Sequence, residues 1–121
     1  MGTDHYRITG GEPLLRKDIT ELIARIKEIP TIKDLSMTTN ATQLERLAKP
    51  LKEAGLDRLN ISLDSLNPLT VHQITGNDCI DKVQRGIFAA IDAGFEMIKI
   101  NMVPMIGIND QDIDKMIQFC I

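Results

Sequence analysis

The residues best suited to chemistry lie in one short segment, Arg7 to Pro13, which reads Arg-Ile-Thr-Gly-Gly-Glu-Pro. Gly10 and Gly11 have no Cβ, so the backbone there can turn sharply and approach a ligand closely. Glu12 has two carboxylate oxygens that can accept hydrogen bonds from a cationic or NH-bearing group. Pro13 biases Glu12 toward an extended conformation. The segment therefore predicts a strand that ends in a glycine turn and presents a carboxylate.

Polar side chains also follow the other three predicted strands, at their carboxyl ends. They are Thr38 to Asn40, Ser62 to Asp64, and Lys99 with Asn101. Arg7 and Lys99 carry positive charge and suit phosphate or carboxylate groups. Since ligands of α/β barrels bind at the carboxyl ends of the strands, we expect a binding surface for polar, charged ligands. Neither His5 nor His72 falls within the set, which disfavours a Ser-His-Asp hydrolytic site.

Each of these side chains also has a purely structural interpretation. Arg7 or Lys99 could be a surface cation whose aliphatic stem is buried. Asp64 could cap the turn into Asn67, and Asn40 could close the turn that follows its own strand. The shared position of the polar groups on four strands favours the binding interpretation.

The elements that position these groups alternate between strand and helix patterns four times. The predicted strands cover residues 6–9, 35–39, 58–63 and 97–103, and the predicted helices cover residues 18–29, 42–54, 80–93 and 110–120, with a short helix from Asn67. Pro50 is expected to kink or break the second helix. Asp18 with Glu21 resembles a capping box. Asn109 is expected to cap the last helix.

Four successive βα units predict an α/β fold with a parallel sheet and right-handed crossovers. Parallel strands that are covered on both faces are usually apolar throughout, yet these strands alternate. Leu59 and Ile61 point to one face, for example, while Asn60 and Ser62 point to the other. A polar face cannot be a packed core, because buried unpaired polar groups are costly. We therefore expect a half or partial TIM-type barrel arc with a wet lumen; the alternative is a flavodoxin-like sheet.

Composition excludes several classes of protein. The 121 residues are 43% hydrophobic and 26% charged, as expected for a single soluble unit. No apolar run has the length of a membrane span and no signal peptide is evident, so we expect a cytoplasmic protein without a membrane partner. The net charge of −3 and the lack of a basic run argue against nucleic-acid binding. Cys79 and Cys120 are isolated, so no metal site is expected.

The order of the motifs resembles the radical S-adenosylmethionine superfamily, and within it the GTP 3′,8-cyclases that begin molybdenum cofactor biosynthesis. The matching segments are RITGGEPLLR at 7–16, TTN at 38–40, NISLD at 60–64, KINMV at 99–103 and GIND at 107–110. Gly-Gly-Glu-Pro alone marks the superfamily, and the combined set marks the cyclase branch.

The resemblance implies two ligand sites. Residues that would contact S-adenosylmethionine are Gly10, Gly11, Glu12, Pro13 and Ser62. Residues that would contact the substrate GTP are Arg7, Thr38 and Lys99, with the two cations on its phosphates. In this family a [4Fe-4S] cluster cleaves S-adenosylmethionine to a radical that abstracts a ribose hydrogen from GTP. The family's Cys-x₃-Cys-x₂-Cys loop, which binds the cluster, is absent from this sequence, as is the family's C-terminal domain.

Residues 1–121 are therefore expected to be an internal (βα)₄ piece of the radical enzyme, inactive by itself and without catalytic or metal-binding residues of its own. The alternative is a non-catalytic oligomeric or binding protein derived from such an enzyme. The first and last predicted strands would have open edges, which template pairing with another chain. We therefore expect a homo-oligomer.

Overall fold

The computed structural model describes residues 5–76 and 79–120, which form one sheet of four parallel strands. The strands are β1 (His5–Ile8), β2 (Asp34–Thr39), β3 (Arg58–Ser62) and β4 (Met97–Asn101). Their order in the sheet is the order of the sequence. This confirms the predicted α/β class and favours a barrel-type arc over a flavodoxin-like sheet, in which the strand order reverses.

Helices alternate with these strands and cover one face of the sheet. They are α1 (Ile19–Lys27), α2 (Leu44–Ala54), α3 (Pro68–Thr75), α4 (Ile80–Asp92) and α5 (Ile113–Cys120). Two short 3₁₀ turns, Pro13–Leu15 and Asp110–Asp112, were not expected from the sequence. The last strand ends at Asn101, two residues before its predicted end, because the chain turns there into a loop tied to its neighbours by side-chain bonds.

The core lies between the helices and the apolar face of the sheet. Met37, Leu59 and Ile61 are fully buried on that face. Ile23 of α1 and Leu51 of α2 are fully buried on the helix side. Each such side chain contributes about 1.5–3 kcal/mol relative to an exposed position, so the alternation along the strands provides the stability of the arc.

Pro50 does not break α2, which is continuous from Leu44 to Ala54. A proline removes the N–H that would bond the carbonyl oxygen of Arg46 and usually interrupts a helix. Both Pro50 and Arg46 are exposed. The proline therefore lies on the solvent side of the helix, away from the core, and the helix continues.

The expected capping box at α1 is also wrong. Asp18 is the N-cap residue, but its side chain makes no hydrogen bond to the first turn. Its carboxylate instead pairs with the guanidinium of Arg16. That hydrogen bond lowers the pKa of Asp18 and raises the pKa of Arg16. Both side chains are more than half exposed, so this pair contributes little to stability.

Helices α2 and α4 approach closely at Gly86. A Cβ on Gly86 would lie 2.6 Å from the carbonyl oxygen of Ala41 and 3.0 Å from Cβ of Leu44. Ala41 is fully buried and has a positive φ of 66°. This conformation is disfavoured for a residue with a Cβ. The close approach therefore depends on the absence of a side chain at Gly86.

We expect Gly86→Ala to destabilise the protein. In an ordinary helix this change stabilises by about 1 kcal/mol. Here the added methyl group meets backbone atoms, so we expect a net loss of about 1–3 kcal/mol in the free energy of unfolding. Urea denaturation measures the difference. Lys82→Ala, at an exposed position of the same helix, is the control and should change stability by less than about 0.5 kcal/mol. An unchanged or raised stability of Gly86→Ala would contradict the close contact.

Candidate functional site

The register of the strands places two adjacent rows of mostly polar side chains on the face opposite the helices. The first row contains Arg7, Ser36, Arg58 and Met97. The second row contains Thr38, Asn60 and Lys99. Ser62 and Asn101 pair beyond the second row, at the carboxyl ends of β3 and β4. The polar lumen face that alternation predicted is therefore present.

A cavity of about 190 Å³ lies on this face. Its lining residues are Arg7, Ser36, Arg58, Leu59, Asn60, Met97 and Lys99. Two of the predicted substrate-binding residues, Arg7 and Lys99, thus share one space. The third, Thr38, is half-buried on β2 and does not line this cavity.

Arg58 is a third cation of this cavity that the sequence reasoning did not select. It lies at the start of β3, two residues before Asn60 and four before Ser62. The same period of two that placed those side chains in the lumen would have placed Arg58 there as well. The rule that ligands of α/β barrels bind at the carboxyl ends of the strands does not point to Arg58, because it lies at the opposite end of β3.

Asp34 neutralises the charge of Arg58. Nε of Arg58 donates to both carboxylate oxygens of Asp34 at 3.1 Å, and Nη2 donates to Oδ2. His5 Nδ1 lies 3.3 Å from the same Oδ2. The hydrogen bond from Arg58 holds the pKa of Asp34 below its ordinary value and opposes the effect of partial burial. The cluster joins the amino-terminal ends of β1, β2 and β3.

Arg7 and Lys99 differ from Arg58 in this respect. Within the part of the chain that the structure describes, neither has a carboxylate within ion-pair distance. Lys99 is exposed at the edge strand β4 and Arg7 is exposed at the edge strand β1. These two side chains are therefore the cations available to an anionic group in the lumen.

The glycine turn is held by the carboxylate of Glu12. Its Oε1 accepts hydrogen bonds from Oγ1 of Thr39 at 2.5 Å and from the backbone N–H of Leu14 at 3.1 Å. Its Oε2 accepts from the N–H of Asn40 at 2.7 Å. Both oxygens are thus used within the chain. The structure places this carboxylate as a link between the turn and the end of β2, and leaves the turn's backbone to face outward.

The glycine turn is separate from the lumen cavity. Gly10 has a φ of 114°, and a Cβ on Gly10 or Gly11 would meet no atom within 4 Å. Gly11, Glu12 and Pro13 line a different groove of about 240 Å³ beside β1 and the start of α1. Ser62 is exposed at the end of β3 and lines neither space. The candidate residues therefore form three separate groups: Arg7 with Lys99 on the lumen face of the sheet, Gly11 to Pro13 beside β1, and Ser62 at the carboxyl end of β3.

The hydrogen bonds of Asn40 and Asp64 decide two of the structural interpretations that the sequence left open. Oδ1 of Asn40 accepts from the N–H and hydroxyl of Thr42 at 3.0 and 2.9 Å, which confirms that Asn40 closes its turn. Asp64 does not cap the turn into α3, because Asn67 does so itself. Asp64 instead accepts from the N–H of Val103 at 2.9 Å.

A cysteine-bound iron–sulfur cluster does not fit this chain. The sequence contains two cysteines, whereas such a cluster needs three or four converging thiolates. Across residues 5–76 and 79–120 no three His, Cys, Asp or Glu side chains come together as a metal site. The same residues include no helix long and apolar enough to span a membrane.

Comparison with known proteins gives consistent matches over the whole chain. A family model described as the Radical SAM superfamily matches residues 1–120. A probable GTP 3′,8-cyclase of Methanothermobacter thermautotrophicus is 46% identical over 99% of this chain and 39% of its own length. A probable GTP 3′,8-cyclase of Pyrococcus abyssi is 51% identical over 98% and 38%. GTP 3′,8-cyclase 1 of Pseudomonas aeruginosa is 48% identical over 99% and 36%. The chain thus spans less than two-fifths of these relatives.

We expect Asp34→Asn to destabilise the protein in a pH-dependent manner. Because the folded-state pKa of Asp34 lies below its ordinary value of 3.8, the carboxylate stabilises the fold above that pH. This contribution is lost as the pH falls through the lowered pKa. The variant should therefore melt at a lower temperature than the wild type at neutral pH, and the difference should disappear in acid. Circular dichroism melts across the pH range measure it. Asp92→Asn, exposed on α4, is the control, and a pH-independent difference for Asp34→Asn would contradict this account.

Proposed function

This chain belongs to the radical S-adenosylmethionine superfamily, and we propose that it carries part of the GTP and S-adenosylmethionine sites of a GTP 3′,8-cyclase. The observation that carries the proposal is the lumen cavity in which Arg7 and Lys99 lie without carboxylate partners among the described residues. The names of the relatives support GTP as the substrate. The activity itself is proposed for the longer protein, in molybdenum cofactor biosynthesis.

The triphosphate of GTP is the part of the substrate that suits this cavity. Two cations from opposite edges of the arc face the lumen, and Asn60 adds a neutral polar group between them. Thr38 lies beside Asn60 in the next strand and would add a hydroxyl. At about 190 Å³ the cavity is smaller than the ~300–1,000 Å³ of typical ligand sites. The described residues would therefore enclose only part of GTP.

For S-adenosylmethionine, the backbone of Gly10 to Pro13 and the hydroxyl of Ser62 are the proposed contacts. The open space above the two glycines lets a ligand approach the backbone. Glu12 acts here by fixing the turn to Thr39 and Asn40. S-adenosylmethionine would supply the adenosyl group of the reaction. Because the cluster that would cleave it does not fit these residues, we assign no radical step to them and propose that the chain alone is inactive.

A second candidate function is assembly with another copy of the chain. In the described part of the chain no strand pairs with the outer edge of β1 or β4. An apolar groove of about 470 Å³ lies between the edge strand β4 and α5. Since the strands are parallel and in sequence order, β4 of one copy could pair with β1 of the partner. We propose a homo-oligomer of this kind, in the cytoplasm, where nucleoside triphosphates are available.

We expect GTP to bind weakly and through charge. Lys99→Ala should weaken binding by about three- to fivefold, the effect of losing one exposed charge pair of ~1 kcal/mol. Raising the salt concentration should weaken wild-type binding further by screening. Isothermal titration calorimetry measures both effects. Lys49→Ala, exposed on α2, is the matched control and should bind as the wild type does. A tight, salt-insensitive complex, or equal losses in both variants, would contradict the proposed site.

We expect sedimentation equilibrium at micromolar concentration to give a multiple of the 13.5 kDa chain mass. Ile117 lines the groove beside β4 and is 54% exposed, so Ile117→Glu should dissociate the assembly without loss of fold. Leu69→Glu makes a similar change at a residue of α3 that is 82% exposed, and should leave the assembly intact. A wild-type monomer, or an assembly that tolerates Ile117→Glu, would show that the groove is not the interface.

A further inference from the structure

Asn109 joins two loops at the carboxyl ends of β3 and β4. Its side chain is fully buried although it follows an exposed loop. Nδ2 donates to the carbonyl oxygens of Asp64 at 2.8 Å and Val103 at 3.0 Å. Oδ1 accepts from the N–H of Met105 at 2.6 Å. Both donor hydrogens and the acceptor of one amide are thus used to hold the loop after β3 against the loop after β4.

Two further bonds cross between the same segments. Oδ1 of Asp64 accepts from the N–H of Val103 at 2.9 Å. The hydroxyl of Ser65, which is fully buried, donates to Oδ2 of Asp112 at 2.8 Å. The expectation that Asn109 caps α5 is wrong for this reason: its amide is engaged with the two strand ends, and it makes no capping bond.

Apolar packing cannot replace these bonds. In the loop after β4, Val103 is 64% exposed and Ile106 is 95% exposed. These two side chains bury little apolar surface, so the segment around them is held mainly by its hydrogen bonds. An amide is also the one side chain of this size that can donate to two carbonyl oxygens while accepting from an N–H. The chemistry of the position therefore calls for asparagine.

We propose that Asn109 is a positioning residue, which fixes the spacing of the two strand ends that carry Ser62 and Asn101. These two residues are paired neighbours, and the N–H of Leu63 donates to the carbonyl oxygen of Asn101 at 3.0 Å. Ser62 lies two residues before Asp64, and Asn101 lies two residues before Val103. Asn109 thus holds the residues next to the site rather than the ligand. The identity of the ligand that depends on this spacing rests on the proposed function. The hydrogen bonds of Asn109 do not.

The test is amide hydrogen exchange, measured residue by residue by NMR, on Asn109→Asp and on Asn67→Asp. The first change keeps the acceptor for Met105 but sets a carboxylate oxygen against two carbonyl oxygens. The second makes the same substitution at a half-buried helix cap, where aspartate is equally suitable. We expect exchange at Val103 and Met105 to rise by about tenfold or more in Asn109→Asp only. Amides of β2 should keep their protection.

A second pair of variants keeps the test decisive if Asn109→Asp does not fold. Asn109→Ala removes the three bonds of the amide without placing a charge in the buried site and should raise exchange at Met105, whereas Asp64→Ala, which removes only the bond to the N–H of Val103, should raise exchange at Val103. If exchange in the Asn109 variants rises evenly over the sheet, Asn109 is an ordinary core residue. If exchange is unchanged, other contacts hold the two loops. Either result overturns the proposal.

Titration with S-adenosylmethionine tests the positioning role of Asn109 separately from the proposed function. An affinity for S-adenosylmethionine that is tenfold lower in Asn109→Asp than in the wild type, and unchanged in Asn67→Asp, supports the positioning role. Equal affinities in all three proteins would overturn the positioning role of Asn109. Absence of binding to the wild type would count against the proposed S-adenosylmethionine site, while the exchange measurement would still decide the role of Asn109.

Discussion

The register of four parallel strands is the constraint on which the rest of the structure depends. Side chains alternate along a strand, so a shift of one residue moves every side chain to the other face. In the observed register Met37 and Leu59 lie under the helices while Lys99 faces the lumen. A slip of β4 by one residue would place Lys99 under the helices and Ile98 in the lumen. Core and cation cavity are therefore fixed by the same pairing.

Strand pairing alone does not fix the loops at the carboxyl ends, and buried or half-buried polar side chains do so instead. Glu12 accepts from the hydroxyl of Thr39, and that hydroxyl accepts from the N–H of Ala41. The carbonyl oxygen of Ala41 lies where a Cβ on Gly86 would be 2.6 Å away. The glycine turn is thus connected through β2 to helix α4. Asn109 has the equivalent role for β3 and β4.

The elements could be predicted from sequence, but the partners of the polar side chains could not. Alternation and helical periodicity are local, and they identified all four strands and the main helices. Glu12 and Thr39 are 27 residues apart, and Asn109 and Asp64 are 45 apart. No local pattern encodes such pairs, so Asn109 was assigned to a nearby helix cap. Pro50 was expected to kink or break α2, and the helix is not broken; whether a helix tolerates a proline depends on its packing, and Pro50 lies on the exposed side of α2.

The positions of the three lumen cations also connect ligand binding to the open edges. Arg58 lies on the inner strand β3 and is neutralised by Asp34, so it stabilises the base of the arc. Arg7 and Lys99 lie on the edge strands β1 and β4. Any strand that extends the sheet at either edge would lie beside one of these cations and add a wall to the cavity. Under the proposed function, binding of a triphosphate and closure of the arc would therefore be thermodynamically linked, each strengthening the other.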